Sequence, residues 1–149
     1  MEALKAGIAY FAVVFAAGFL LGTVRVLLLA PRIGELGAVA VEVPLMLAVA
    51  WFACARLLCR FEVGGSVIGR FLMGGVAFGL LTIAEIGVSI AAFGRSPAEH
   101  LAAYRSGGSI LGGLAQIAFA AIPLVQLWWP GKAGDGEDPG PSRNKAMRR

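Results

Sequence analysis

Residues 22–47 read GTVRVLLLAPRIGELGAVAVEVPLML, an apolar run, a break marked by Pro31, Gly34 and Gly37, and a second apolar run. Arg25 and Glu42 sit among the aliphatic residues on either side of the break. Proline removes a backbone donor and glycine relaxes the helix, so the break reads as a tight hairpin between antiparallel helices. Each flanking run is close to the ~20 residues a helix needs to cross ~30 Å of hydrocarbon. This is the pattern of two membrane-crossing helices joined at one face of a bilayer.

The same alternation covers most of the chain. Apolar stretches run from Gly7 to Ala30, Ala38 to Cys59, Val67 to Phe93 and Ile110 to Trp129, with short polar breaks between them. Of 149 residues, 58% are hydrophobic and 15% charged, and the mean hydropathy is +0.80. Soluble domains carry about a quarter charged residues, so the balance points away from a water-soluble core. The expected fold is all-α: a polytopic four-transmembrane-helix bundle over residues 1–130, with spans at about 7–30, 38–59, 67–93 and 110–129. The first stretch is too long for a signal peptide and has only Lys5 at its start, so it reads as a retained anchor. Residues 131–149, rich in proline, glycine and charge, are expected to form a disordered cytoplasmic tail.

The breaks carry their own expectations. The short turn RFEVGGS, residues 60–66, predicts that helices two and three are antiparallel neighbours. Pro44 is placed in the first turns of helix two, where a missing N–H costs least, and Pro123 predicts a kink in helix four near residues 119–123. Trp128 and Trp129 close that helix at a membrane–water boundary. The longer break, residues 94–109, contains Ser96-Pro97-Ala98-Glu99, the form of a capped helix start. With Leu101 and Tyr104 on one face and Gly107-Gly108 as a stop, it predicts a short amphipathic interfacial helix between helices three and four.

Net charge is +4. In a membrane protein this is a topogenic signal before it is a nucleic-acid signal. Lys5, Arg56, Arg60, Arg70 and the tail cations fall on one side, and Arg25, Arg32, Arg95 and Arg105 on the other. Both termini are therefore expected in the cytoplasm, with the chain in a bacterial inner (plasma) membrane. Basic residues are not interleaved with exposed aromatics, so nucleic acid is not an expected partner. Cys54 and Cys59 point to different faces of one helix and are expected to be buried, inert thiols.

Counted inward from the outer ends of the four stretches at ~1.5 Å per residue, Arg25 lies roughly 7 Å deep, Glu42 about 6 Å, Glu85 ~12 Å and Gln116 ~10 Å. One strongly polar residue from each helix thus falls in the outer half of the bilayer. An isolated Arg or acid inside a span costs roughly 2.5–3.5 kcal/mol, which favours packing these groups against each other. Gly18, Gly22 and Arg25 share a stripe, as do Thr82, Glu85 and Ser89, and Gly108, Gly112 and Gln116. Arg25, Glu42, Glu85 and Gln116 are therefore the candidate site, an intramembrane polar cluster, with Arg32, Thr82 and Ser89 as contributors. Arg25 is expected to pair with Glu42 or Glu85, and Gln116 to satisfy what remains. One arginine faces two carboxylates, so either Arg32 reaches in from the hairpin or Glu85, the deeper acid, holds a proton.

The cluster has two readings: a structural clip that fixes helix register, or a site for a small solute, ion or proton. The first makes the chain an accessory or assembly protein of the lipid bilayer with a membrane partner. The second makes it a small transporter or channel-like subunit acting as a homo-oligomer. His100 beside Glu99 is the lone histidine and makes a poor metal site. No zincin, nucleophile-elbow or phosphate-loop motif occurs, so neither an enzyme, a metal nor a cofactor is expected.

G-T-x-R-V-L at residues 22–27, P-R-x-G-E at 31–35 and E-x-P-x-M-L at 42–47 are followed by AFGLLTIAE at 77–85 and GRS at 94–96. Over about residues 15–125 these resemble a group of short bacterial inner-membrane proteins with four predicted helices and no assigned role. The resemblance implies a small integral-membrane protein and carries over no catalytic or binding residue.

Overall fold

The computed structural model describes residues 1–93 and 107–129. These are 93% helical, with no strand among them. Helix α1 (Glu2–Val24) passes through one π turn (Arg25–Leu29) into α2 (Ala30–Arg60), and α3 (Val67–Phe93) and α4 (Gly107–Trp128) follow. Three helical runs, Glu2–Arg60, Val67–Val88 and Ile110–Trp128, are long and apolar enough to cross a membrane. The expected interfacial helix at residues 96–106 and the tail at 131–149 lie outside the described residues.

The PRIGELG break, expected as a loop, is almost entirely helical. Pro31 has no N–H to return to the preceding turn, and the chain there widens to the π form, with the Ala30 N–H reaching back to the Arg25 carbonyl. Reversal is concentrated at Gly34 (φ 77°, ψ 164°), a conformation that a Cβ strains whatever the space around it. Beyond it the chain descends antiparallel to α1: Gly18 faces Met46, and Gly22 faces Glu42. Helix two thus begins several residues before its apolar stretch, and Pro44 lies inside the helix rather than in its first turns.

α1 packs on α2 and α3, and α4 packs on α2 and α3. Helices α2 and α3 are therefore set across a diagonal, not side by side as the short turn between them suggested. Glycine explains the preference. A Cβ on Gly7 would stand 2.8 Å from the Met73 carbonyl oxygen, and one on Gly74 would drive into the Ala120 carbonyl. Both positions let backbones approach at van der Waals distance, the source of helix affinity where no water drives apolar surfaces together. The turn between α2 and α3 is fixed at both ends. Val63 N–H bonds the Leu58 carbonyl and Glu62, at φ 50°, bonds Cys59, closing α2 in a Schellman arrangement. The Ser66 hydroxyl accepts the Gly69 N–H at 2.9 Å and starts α3.

The core gathers toward that turn. Ala6, Tyr10, Val14, Ala50, Cys54, Leu58, Met73, Ala77, Phe119 and Ile122 form one buried cluster, while apolar side chains such as Leu20, Phe52 and Ile83 ring the outside. Cys54 is buried as expected, but Cys59 is exposed, because it lies on the opposite face of the last turns of α2. Pro123 is fully buried inside α4. Lacking an N–H, it leaves the Phe119 carbonyl without its helical donor, and the Tyr10 hydroxyl supplies one from α1 at 3.2 Å. The Tyr10 ring stacks on Phe119 with centroids 4.5 Å apart. Gln126 Nε2 donates to the Trp51 carbonyl at 2.9 Å, tying α4 to α2.

Removing the Tyr10 donor in Tyr10→Phe leaves that carbonyl buried and unpaired, and is expected to cost about 1–3 kcal/mol, read as a lower midpoint of thermal unfolding in detergent. Gly74→Ala is expected to destabilise the fold through its collision with backbone. Gly75→Ala, at the next position and with nothing within 4 Å, leaves the midpoint unchanged in the same assay.

Candidate functional site: two interhelical polar pairs

The polar residues singled out above meet two by two. Arg25 opens the π turn and Glu42 projects from α2 opposite Gly22, where even an added Cβ would stand 3.8 Å from the carboxylate. Arg25 Nε lies 2.6 Å from Glu42 Oε2, with the two side chains 26% and 16% exposed. The Nε–H is not aimed along that line, so the contact is an ion pair rather than an aligned hydrogen bond. Between α3 and α4, Gln116 Nε2 donates to Glu85 Oε1 at 2.5 Å, both residues half-buried. Each contact joins consecutive helices of the chain.

The two pairs are not level. The Tyr10–Phe119 contact gives a common reference across α1 and α4. At ~1.5 Å per residue, Arg25 stands roughly 22 Å from it along α1, and Gln116 only about 4–5 Å from it along α4. The expectation of one polar layer assumed level outer ends. By the same rise, the reversal at Gly34 lies roughly 36 Å beyond Tyr10, whereas α4 extends only about 18 Å from Phe119 to its start at Gly107. The α1–α2 hairpin therefore overhangs the described part of α4.

The expected contributors turn elsewhere. Arg32 is exposed and its Nη1 donates to the Leu28 carbonyl at 3.2 Å, one turn back on its own helix, so it does not reach in from the hairpin. Thr82 Oγ1 bonds the Phe78 carbonyl at 3.0 Å within α3 and gives nothing to Glu85. The Ser89 side chain and His100 lie outside the described residues. Among the described residues no group of three His, Cys, Asp or Glu side chains is placed to hold a metal.

A groove of about 130 Å³ lies beside the Arg25–Glu42 pair, its lining almost wholly apolar and walled by Leu21, Val24, Leu29, Val41 and Leu45. Tyr10 and Gln126 are polar bridges that reading the sequence by depth passed over. Tyr10 had a signal: an interior proline leaves a carbonyl one turn back, here that of Phe119, in need of a donor. Gln126 stands beside the terminal tryptophans and was absorbed into the interface they mark.

No family model, curated protein or solved structure matches this chain. Its class therefore rests on its own architecture, an all-helical protein with helices long and apolar enough to be embedded in a membrane.

Because the pairs are separate, a loss at one does not change the cost at the other. Glu42→Gln combined with Gln116→Leu is expected to destabilise by the sum of the single changes within ~0.5 kcal/mol, measured by thermal unfolding of the four proteins. A strong departure from additivity would show the pairs acting as one cluster.

Proposed function

We propose that this chain is a small multi-pass inner-membrane protein of accessory or assembly type, built from two helical hairpins, each held by one polar clip. The 59-residue run Glu2–Arg60 would be close to ~90 Å long if straight, about three times the hydrocarbon thickness. With its reversal at Gly34 it crosses twice, and with α3 and α4 the chain crosses four times. The cations Lys5, Arg56, Arg60 and Arg70 then share the end where the core is tightest, which supports cytoplasmic termini by the positive-inside rule.

The observation that carries the clip reading is the Arg25–Glu42 contact at 2.6 Å. The one strongly basic side chain of the cluster is used within its own hairpin, against the carboxylate that faces it across the reversal, and the groove beside it is walled by aliphatic residues. A solute path needs polar groups from several helices facing a shared wet space, whereas a clip needs only two facing each other.

The test is a double-mutant cycle on unfolding in detergent with Arg25→Gln, Glu42→Gln and the double variant. Each single change is expected to destabilise by leaving its partner unpaired, and the double to recover much of that loss, a coupling of roughly 1–3 kcal/mol. If all three variants unfold like the parent, and proton flux into liposomes is lost in Glu85→Gln, the clip reading fails and a homo-oligomeric transport subunit takes its place.

A further inference from the structure

Three arginines gather at the end where α2 turns into α3, and none is neutralised there. Arg56, Arg60 and Arg70 make no ion pair among the described residues. Lys5, at the same end, is spent on Glu2 at 3.0 Å. Glu62, exposed in the turn, is the other described carboxylate at this end, so uncompensated positive charge remains. The positive-inside rule accounts for the side of the membrane on which such residues stand. It does not account for their grouping on one face.

On α2 the exposed residues Phe52, Ala55, Arg56, Cys59 and Arg60 recur at intervals of three and four, which sets them along one strip of the helix. Arg56 and Arg60 stand one turn apart on it, close enough to share one anion. Ala55 and Cys59 are small and keep the strip shallow between Phe52 and the charges. Tryptophan marks the depth. The Trp51 ring meets Trp129 edge-on with centroids 6.5 Å apart, and Trp128 and Trp129 are exposed, as suits a membrane–water boundary. From Trp51, Arg56 lies ~7 Å and Arg60 ~13 Å farther along the helix. Side chains lean toward the N-terminus of their helix. α2 ends here, so both of its guanidiniums lean back toward the head groups. α3 begins here, and Arg70 leans outward to donate from Nε to the Gly64 carbonyl at 3.3 Å. Held by that contact, Arg70 adds charge near Cys54 and Cys59 of α2 rather than a free hydrogen-bonding fork.

Charge then selects the occupant. Two guanidinium forks one turn apart suit a phosphodiester, whose two free oxygens receive their N–H groups. The cation of a zwitterionic head group meets no carboxylate on the strip and is repelled by the arginines. A glycerol head group brings the negative charge alone, as in the anionic lipids that attract basic segments to a membrane surface. We propose that this strip of α2 seats one anionic phospholipid of the phosphatidylglycerol class, with its phosphate between Arg56 and Arg60 and an acyl chain along Phe52. The seat rests on the four-crossing reading above.

The experiment uses the full-length chain, delipidated in mild detergent and offered an equimolar mixture of phosphatidylglycerol, phosphatidylethanolamine and phosphatidylcholine with identical acyl chains. Native mass spectrometry reads which lipid stays bound. Phosphatidylglycerol is expected to be retained about tenfold over each of the others, the worth of one charge-assisted hydrogen bond. Arg56→Gln and Arg60→Gln each remove most of that preference, whereas Lys5→Gln, which takes one positive charge from the same end, leaves it. Arg56→Lys combined with Arg60→Lys keeps both charges, loses the fork and lowers the preference as well. All three side chains are exposed, and an unchanged unfolding midpoint confirms that the variants fold. Equal retention of the three lipids overturns the proposal. So does a preference that survives both lysines undiminished, or one that Lys5→Gln lowers as far as Arg56→Gln, since either is diffuse attraction to the whole end. A preference that appears only when Asp135→Asn, Glu137→Gln and Asp138→Asn are combined gives the arginines to the chain's own tail and also overturns it. The unfolding cycle at Arg25 and Glu42 is read without added lipid, so a coupled pair with no lipid preference leaves the clip standing and removes only the lipid seat.

Discussion

The Tyr10 hydroxyl on the Phe119 carbonyl is the contact on which the remaining packing depends. Inside hydrocarbon there is no water to take up a carbonyl that a proline has freed, so the bundle itself must supply a donor. Pro123 creates that need, and Tyr10 meets it from the helix diagonally opposite. A hydroxyl at the end of one aromatic ring has a fixed reach, and the other helices must close around it. Gly7 and Gly74 make this feasible by letting α3 approach α1 and α4 with backbone against backbone. Larger residues at either position would hold the diagonal open beyond the tyrosine's length.

Much of this fold is written in composition and punctuation. The long apolar helices are legible because bilayer thickness sets a length that few other structures share. The reversal near Gly34 is legible because proline and glycine coincide there, although its form is not: polar loop residues such as Glu35 fold as helix, since a helical backbone satisfies its own N–H and C=O groups. Packing order is not legible. A short turn between α2 and α3 promises adjacency, yet two glycines on other helix faces decide who lies beside whom, and contacts of that kind leave no periodic trace. The polar residues were identifiable by type. Arg25 was legible as the partner of Glu42 or Glu85 and not as the partner of one of them, because depth counted from loop ends assumes that all the helices end at one level.

The division of labour along the bundle follows from these constraints. One end is close-packed around Tyr10, Met73, Cys54 and Pro123, where small residues and an aromatic stack fill space. At the other end few of the described side chains are fully buried, and the helices are joined in twos by polar contacts: Arg25 with Glu42, and Gln116 with Glu85. A polar contact holds a pair of helices at a chosen register even where apolar packing against lipid is no better or worse than packing against protein. Each hairpin therefore carries its own fastening at the end where the four-helix core no longer reaches.

The nearly loopless reversal at Gly34 also bears on how the chain is made. Glu42 follows Arg25 just across the reversal, whereas Glu85 is added only after the rest of α2, the turn that follows it and most of α3. At synthesis rates of about 5–20 residues per second, the nearer carboxylate precedes the farther by roughly 2–9 seconds, while closing a short loop takes well under a microsecond. Gly34 brings α2 back along α1 without a long loop to order, so the first hairpin is able to neutralise its arginine before α3 exists. Competition between two acids for one guanidinium is thus settled by sequence of arrival: Glu42 stands beside Arg25 before Glu85 has been made.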